Sequence, residues 1–218
     1  RLIRPQLIQD ILKLGFRFFI IYLCMIAIFQ IINVVIAREI GAMGVTQYNI
    51  ANRYFNIIFM LLNIIVAPFW SAFTDAYAKK DFLWMRLMFF RVQKCWMFSI
   101  GIGLVMLLLS SLFYKMWIGD SVKMPIEISV AMFVFVICQS LGSIFMTMIN
   151  GLGTIRIQMI TYILFALMAW PLFTILAHKF GLVGIIAIPS IVCLVQGILG
   201  WIQLGKIVEQ KAKGVWLK

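Results

Sequence analysis

Amide and hydroxyl side chains recur at helical spacing within apolar stretches of this sequence. One stripe lies within about 60° of arc and comprises Asn49, Asn52, Asn56 and Asn63. A second lies within about 80° and comprises Gln139, Ser143, Thr147 and Asn150. Shorter sets elsewhere are Gln30 with Asn33, and Gln196 with Gly200 and Gln203. These groups donate and accept hydrogen bonds without carrying charge, so they can bind a polar ligand or join helices.

Two interpretations of these stripes remain open. Any single stripe is explained by hydrogen bonds between packed helices. Several stripes in one small bundle favour a shared hydrated cavity, because polar groups facing lipid are costly. Arg53 flanks the asparagine stripe, and Arg38 lies across the short connection beside Glu39. A guanidinium suits phosphate oxygens, although both arginines also suit an interfacial, snorkelling position; Arg53 is the better candidate for the cavity.

Catalytic and metal-binding signals are missing from the sequence. It contains no nucleotide-binding loop and no nucleophile–base arrangement. Aspartate and glutamate lie at the ends of apolar runs or between them, so no carboxylate is placed for an intramembrane ion relay. The four cysteines stand singly, without metal-ligand spacing. We therefore expect neither enzyme activity, nor a cofactor, nor a metal.

The elements that carry the stripes are predicted to be transmembrane helices. Hydrophobic residues make up 64% of the chain and the mean hydropathy is +1.07, more than one soluble core can bury. A helix needs roughly 20 apolar residues to cross a bilayer. Uncharged runs predict an all-α membrane protein, residues 1–218 forming one six-helix unit, with spans at about 18–37, 54–74, 95–114, 126–149, 157–177 and 182–204. Pro68 should kink or interrupt the second span and act as a hinge.

The distribution of the basic residues predicts which side of the membrane each connection faces. The net charge is +12, but the 19 Lys and Arg punctuate the apolar runs instead of forming one surface, so we expect no nucleic-acid partner. If the N-terminus is cytoplasmic, only five of the 19 fall in outer segments: Arg38, Arg53, Lys115, Lys123 and Lys179. By the positive-inside rule both termini are predicted to be cytoplasmic.

Three segments carry a family resemblance. They are QYNIANRYFNIIFMLLNIIVAPFWSAFTDAYAKKDFLW at 47–84, NGLGTIRIQ at 150–158 and FGLVGIIAIPSI at 180–191. In this order and spacing the sequence resembles the polysaccharide biosynthesis (O-antigen and capsule) flippases of the multidrug, oligosaccharidyl-lipid and polysaccharide (MOP) transporter superfamily. The resemblance covers the second, C-terminal six-helix lobe of such proteins. It implies a MATE-like lobe whose first lobe, or a partner chain in its place, is absent from these 218 residues.

The resemblance also implies a function. Two lobes would rock about a central cavity and carry an undecaprenyl-pyrophosphate-linked oligosaccharide across the bacterial inner membrane by alternating access. Amide-rich helix faces would suit sugar hydroxyls, an arginine the pyrophosphate, and surrounding membrane lipids the polyprenyl tail. Two alternatives are a half of a MATE-type small-molecule or cation antiporter, with coupling carboxylates in the other lobe, and a non-transporting membrane scaffold.

Overall fold

The structure is a computed structural model that describes residues 5–119 and 121–217. Regular structure within these ranges is helical. In chain order the elements are α1 Pro5–Met25, a π-helical segment Ile26–Gln30, α2 Ile32–Glu39, α3 Ala42–Val66, α4 Phe69–Ala78, α5 Phe82–Ile118, α6 Ile126–Leu152, α7 Arg156–Val208 and a 3₁₀ helix Gly214–Leu217. The helices are longer than the predicted spans. An apolar run covers only the part of a helix that lies in the hydrocarbon core, whereas the helix continues through the interface.

The break between α3 and α4 falls at the predicted proline. Helix α3 ends at Val66, and α4 begins at Phe69, directly after Pro68. A proline has no N–H to donate, and its ring displaces the carbonyl of the preceding turn. After α4 the chain turns at Lys80, and the Asp81 carboxylate caps α5 by accepting from the Trp84 N–H at 3.0 Å.

Helix α7 is a hairpin of two antiparallel halves, 156–180 and 182–208. Its backbone leaves helical geometry at Gly181, where φ is 58° and ψ is −138°. The Gln196 side chain donates to the Gln158 carbonyl at 3.2 Å, and the Gln203 side chain donates to the Thr154 carbonyl at 2.8 Å. In one straight helix the members of each pair would lie more than about 50 Å apart. The chain therefore reverses direction at Gly181.

Helix α6 lies at the centre of the bundle. It packs against α3, α4, α5 and α7, while α1 packs on α7. Glycines let the central helices approach closely. A Cβ on Gly142 would lie 3.0 Å from the Cys193 carbonyl oxygen, and one on Gly197 would lie 2.7 Å from Leu141 Cγ. These contacts fix α6 against the second half of α7.

The helices alternate between two ends of the bundle. At the Glu39 end (residues 39–41, 121–125 and 178–181), His178 Nε2 lies 3.7 Å from a Glu39 carboxylate oxygen. At the Trp216 end (residues 79–81, 153–155 and 209–217), the Gln203 amide donates to the Trp216 carbonyl at 3.1 Å. Near this second end, the Thr74 hydroxyl donates to the Gly151 carbonyl at 2.6 Å. Successive helices thus run up and down between two sets of connections.

Large apolar side chains cover the outside of the bundle. Leu108 is 84% exposed, Met116 80% and Leu167 75%. Five helical stretches are long and apolar enough to cross a membrane: Ile11–Glu39, Ala42–Ala78, Phe82–Ile118, Ile126–Leu152 and Arg156–Val208. The predicted all-α fold is confirmed, and these helices have the length and composition that a membrane protein requires.

Candidate functional site

A cavity of about 540 Å³ lies among α1, the π-helical segment, α2, α3, α6 and both halves of α7. Its polar lining consists of amides, hydroxyls, phenols and one thiol: Tyr22, Gln30, Asn33, Tyr48, Asn52, Asn56, Gln139, Ser143, Thr147, Asn150, Gln158, Tyr162, Cys193 and Gln196. Apolar side chains such as Phe29, Phe59 and Phe135 complete the wall. The lining can offer hydrogen bonds on several sides of one ligand.

The structure brings most of the predicted polar residues together. Nine of the twelve candidates line the cavity: Gln30, Asn33, Asn52, Asn56, Gln139, Ser143, Thr147, Asn150 and Gln196. They come from several separate helices. The stripes on α3 and α6 meet because these two helices run parallel: the Gln47 amide donates to the Lys123 carbonyl near one end and Ser143 bonds to Asn63 near the other.

Two of the predicted asparagines lie beside the cavity and join helices. The Asn49 amide donates to Asn33 Oδ1 at 3.2 Å and to the Val45 carbonyl at 2.8 Å. Asn63 Oδ1 accepts from the Ser143 hydroxyl at 2.9 Å. Here the packing interpretation of the stripe applies, since the Asn49–Asn33 bond holds α3 against α2 and the Ser143–Asn63 bond holds α3 against α6. Both bonds also fix a residue of the cavity wall, Asn33 in one case and Ser143 in the other.

The structure does not bring Arg53 or Arg38 into the cavity lining. Arg53 is exposed on α3, about 60° around the helix from Asn56. Arg38 lies at the Glu39 end, where its Nε is 3.6 Å from a Glu39 oxygen and its guanidinium is 5.6 Å from the Trp170 ring centroid. A cation over an indole at a helix end is typical of an interfacial position.

Three other residues singled out in the sequence lie outside the cavity lining. Pro68 is exposed at the α3–α4 break. Gln203 is fully buried, with its amide on the carbonyls of Thr154 and Trp216. A Cβ on Gly200 would lie 2.8 Å from Phe145 Cβ. Gly200 and Gln203 therefore serve helix packing, and Gln196 is the residue of this stripe that lines the cavity.

The cavity opens along α1, the π-helical segment and α2, which carry its exposed lining residues. Tyr22 and Ile26 line it and are themselves 64% and 39% exposed. Near the Glu39 end, the Asn49 amide of α3 donates to Asn33 of α2. Towards the other end, the Phe18 ring on α1 stacks on Trp70 of α4 at 6.1 Å between centroids. We call this opening the lateral cleft; it lies between the Asn49–Asn33 bond at one end and the Phe18–Trp70 contact at the other.

Four amide oxygens in residues of the cavity lining are buried and accept no hydrogen bond from the described part of the chain. They belong to Gln139, Asn150, Gln158 and Gln196. Gln158 and Gln196 are 4% and 1% exposed. Buried polar atoms usually have partners. Because each oxygen is itself covered, a ligand in the cavity could bond to it only after the side chain turns towards the cavity.

No Asp, Glu, Lys, Arg or His lines the cavity as far as the structure describes the chain. His178, the chain's only histidine, lies at the Glu39 end against Glu39. The described residues also contain no group of three or more His, Cys, Asp or Glu that could hold a metal ion. Binding in this cavity consequently depends on neutral hydrogen bonds and apolar contact.

Five polar residues of the lining were not predicted from the sequence: Tyr22, Tyr48, Gln158, Tyr162 and Cys193. One pair had a usable signal. Gln158 and Tyr162 are four residues apart, so they share a helix face, but Gln158 was placed at the start of a span. Tyrosines gave no comparable signal because they are also common at membrane interfaces.

Fold and cavity together define an all-α protein with membrane-length helices around a polar, laterally open cavity. Comparison of the chain with protein-family models, with curated proteins and with solved structures finds no match. The resemblance of residues 47–84, 150–158 and 180–191 to flippases stays a prediction.

Proposed function

We propose that this chain is one six-helix lobe of a transporter that moves a lipid-linked oligosaccharide across the bacterial inner membrane by alternating access. The observation that carries the proposal is the cavity lining, which combines amides, hydroxyls and phenols. Sugar hydroxyls both donate and accept, so they match such a lining. A charged ligand would gain no opposite charge from it.

Six spans follow if each half of α7 crosses the membrane separately. Each half has about 25 residues and is about 37 Å long, more than the roughly 30 Å of hydrocarbon. An even number of spans puts both termini on one side, at the Trp216 end. Because most basic residues flank that end, the positive-inside rule makes it the cytoplasmic side.

The lateral cleft supports a second lobe or partner chain opposite α1 and α3. Polar residues such as Gln30 would otherwise face acyl chains. Arg53 lies about 17 Å along α3 from Ala42, and its exposed guanidinium at that depth needs an anionic or carbonyl partner. A pyrophosphate at the mouth of the cleft, or an acceptor on the second lobe, would provide it. The polyprenyl tail could remain in the bilayer.

The two alternatives predict different linings. An ion-coupled antiporter of the MATE type needs a carboxylate near its ligand; the described lining has none, so this alternative requires the coupling carboxylates to lie in the other lobe. A non-transporting scaffold needs no ligand and predicts no binding. The lining thus favours the oligosaccharide over a cation.

The decisive experiment is binding of a fluorescent undecaprenyl-pyrophosphate-linked oligosaccharide to the purified full chain in nanodiscs. Binding is measured before transport, because a single lobe has this cavity wall even if it cannot complete a transport cycle by itself. We expect the double variant Asn52→Leu/Asn56→Leu to weaken binding at least about tenfold, since each lost hydrogen bond costs about 1 kcal/mol. Gln9→Leu, exposed on α1 away from the cavity, is the matched control and should bind normally.

Flipping is then measured in proteoliposomes as loss of the glycan's access to an added glycosidase. A chain that binds neither the lipid-linked oligosaccharide nor the free oligosaccharide contradicts the proposal and favours the scaffold. Equal weakening by Asn52→Leu/Asn56→Leu and by Gln9→Leu also contradicts it, because the cavity would then have no special role.

A further inference from the structure

A second depression, of about 350 Å³, lies between α5 and the second half of α7 near the Trp216 end. We call it the Lys206 groove, and its lining is Phe89, Phe90, Gln93, Trp201, Ile202, Gly205, Lys206 and Glu209. It shares no residue with the polar cavity. The groove therefore needs an explanation of its own.

The floor and walls of the Lys206 groove are apolar. Phe89 is buried, and its ring packs on Phe145 at 5.7 Å between centroids. Phe90 and Trp201 are 49% and 50% exposed and form the two rims. A Cβ added to Gly205 would lie 3.9 Å from Phe89 Cζ, so the missing side chain keeps the slot open. An aliphatic chain is the kind of group that fills such a slot.

The end of the groove nearest Trp216 is cationic. Lys206 Nζ lies 3.9 Å from the centroid of the Trp216 ring. Glu209, the carboxylate of the lining, is paired with Lys211 at 2.8 Å. The hydrogen bond and charge of Lys211, with a smaller effect from the charge of Arg86, lower the pKa of Glu209. Arg86 lies one helical turn before Phe90 on α5, on the side nearer the Trp216 end. Arg86, Lys206 and Lys211 together outnumber the one carboxylate, Glu209.

We infer that the Lys206 groove binds a membrane phospholipid with an anionic headgroup. Its acyl chain lies along Phe90, Trp201 and Ile202, and its phosphate meets Lys206 and Arg86. Charge complementarity decides the occupant, because cations at the mouth of an apolar slot match an anionic lipid in both parts. A free phosphate ion would leave the apolar slot unused. The inference depends on membrane insertion and not on the transported substrate.

Native mass spectrometry of the purified full chain tests the headgroup requirement. The probes are dioleoyl phosphatidylglycerol and dioleoyl phosphatidylcholine, which differ in charge and share their acyl chains. We expect tighter binding of the first phosphatidylglycerol, weakened about fivefold by Lys206→Gln and about fivefold by Arg86→Gln, the contribution typical of a cation near an anionic surface. Lys13→Gln removes an exposed cation of α1 and is the matched control.

Filling the slot tests the acyl-chain requirement. Gly205→Leu should abolish the tight phosphatidylglycerol adduct without unfolding the chain, because its Cβ meets only ordinary contact. Gly101→Leu is the control, since this exposed glycine of α5 has open space around it. Equal binding of both lipids, or adducts insensitive to Gly205→Leu, overturns the inference. A change in oligomeric state with Gly205→Leu, measured by light scattering, would overturn it in favour of an interface between copies.

Discussion

Replacing Gln139 by leucine separates a binding role from a structural one. The Gln139 side-chain oxygen is buried at the cavity wall and accepts no hydrogen bond from the described residues. Leucine has nearly the same volume and no polar atom. Removing a buried polar group that lacks a partner relieves a cost of about 1–3 kcal/mol. The unfolding free energy of Gln139→Leu should therefore be unchanged or higher than that of the native chain.

Ligand affinity should move in the opposite direction. A sugar hydroxyl that bonds to the Gln139 amide would face leucine in the variant, at a cost of about 1–3 kcal/mol, or roughly 5- to 150-fold in affinity. Both quantities are measured on one sample in detergent micelles, affinity from ligand fluorescence and stability from denaturant unfolding.

Gln47→Leu is the matched comparison with the reverse expectation. Gln47 is an amide outside the cavity lining, and it donates to the Lys123 carbonyl at 2.8 Å. Its loss should lower the unfolding free energy by about 1 kcal/mol and leave affinity unchanged. If Gln139→Leu instead lost stability and kept its affinity, the Gln139 amide would be a structural group that does not bind the ligand.

Further predictions concern packing, the α7 turn and one surface pair. Gly151→Ala should lower the melting temperature, at a cost of about 1–3 kcal/mol, because its Cβ would clash with the Trp70 carbonyl of α4, whereas Gly101→Ala has room and should not destabilise. Gly181→Ala should cost about 1–3 kcal/mol from backbone strain alone, since its φ is 58° and its surroundings are open; unchanged thermal unfolding would show that the turn is not constrained. The Asp75 hydrogen bond and charge raise the pKa of Lys79, so Asp75→Asn should lower that pKa towards its ordinary value in an NMR titration, and an unchanged pKa would show that the pair is not formed in solution.

Helix type and approximate position could be predicted from the sequence. The apolar runs at 95–114, 126–149, 157–177 and 182–204 each lie within one observed helix, and the break near Pro68 inside the run 54–74 follows from the chemistry of proline. The observed helix ends differ from the predicted span ends because charged and aromatic residues at the interface extend a helix beyond its apolar run. Helix α1, Pro5–Met25, for example, begins well before the first predicted span, 18–37. The π-helical segment at Ile26–Gln30 had no sequence signal, although it places Gln30 at the cavity.

The cavity itself was only partly predictable. Helical periodicity correctly grouped Asn52 with Asn56 on one face, because side-chain direction along a single helix is fixed by its geometry. Periodicity could not show that Asn63 would satisfy Ser143 across the interface at 2.9 Å. Nor could it separate Gln196, which reaches the cavity, from Gln203, which is held by the Thr154 carbonyl.

By itself the sequence determined that the chain forms long apolar helices with neutral polar stripes, since both properties depend on composition and on the 3.6-residue period of one helix. Only the tertiary structure decided which stripes meet around a cavity and which bond to each other. It also decided that the cavity opens along Tyr22 and Ile26. Such outcomes depend on the relative rotation and crossing of neighbouring helices, which packing at residues such as Gly142 sets and no single segment contains.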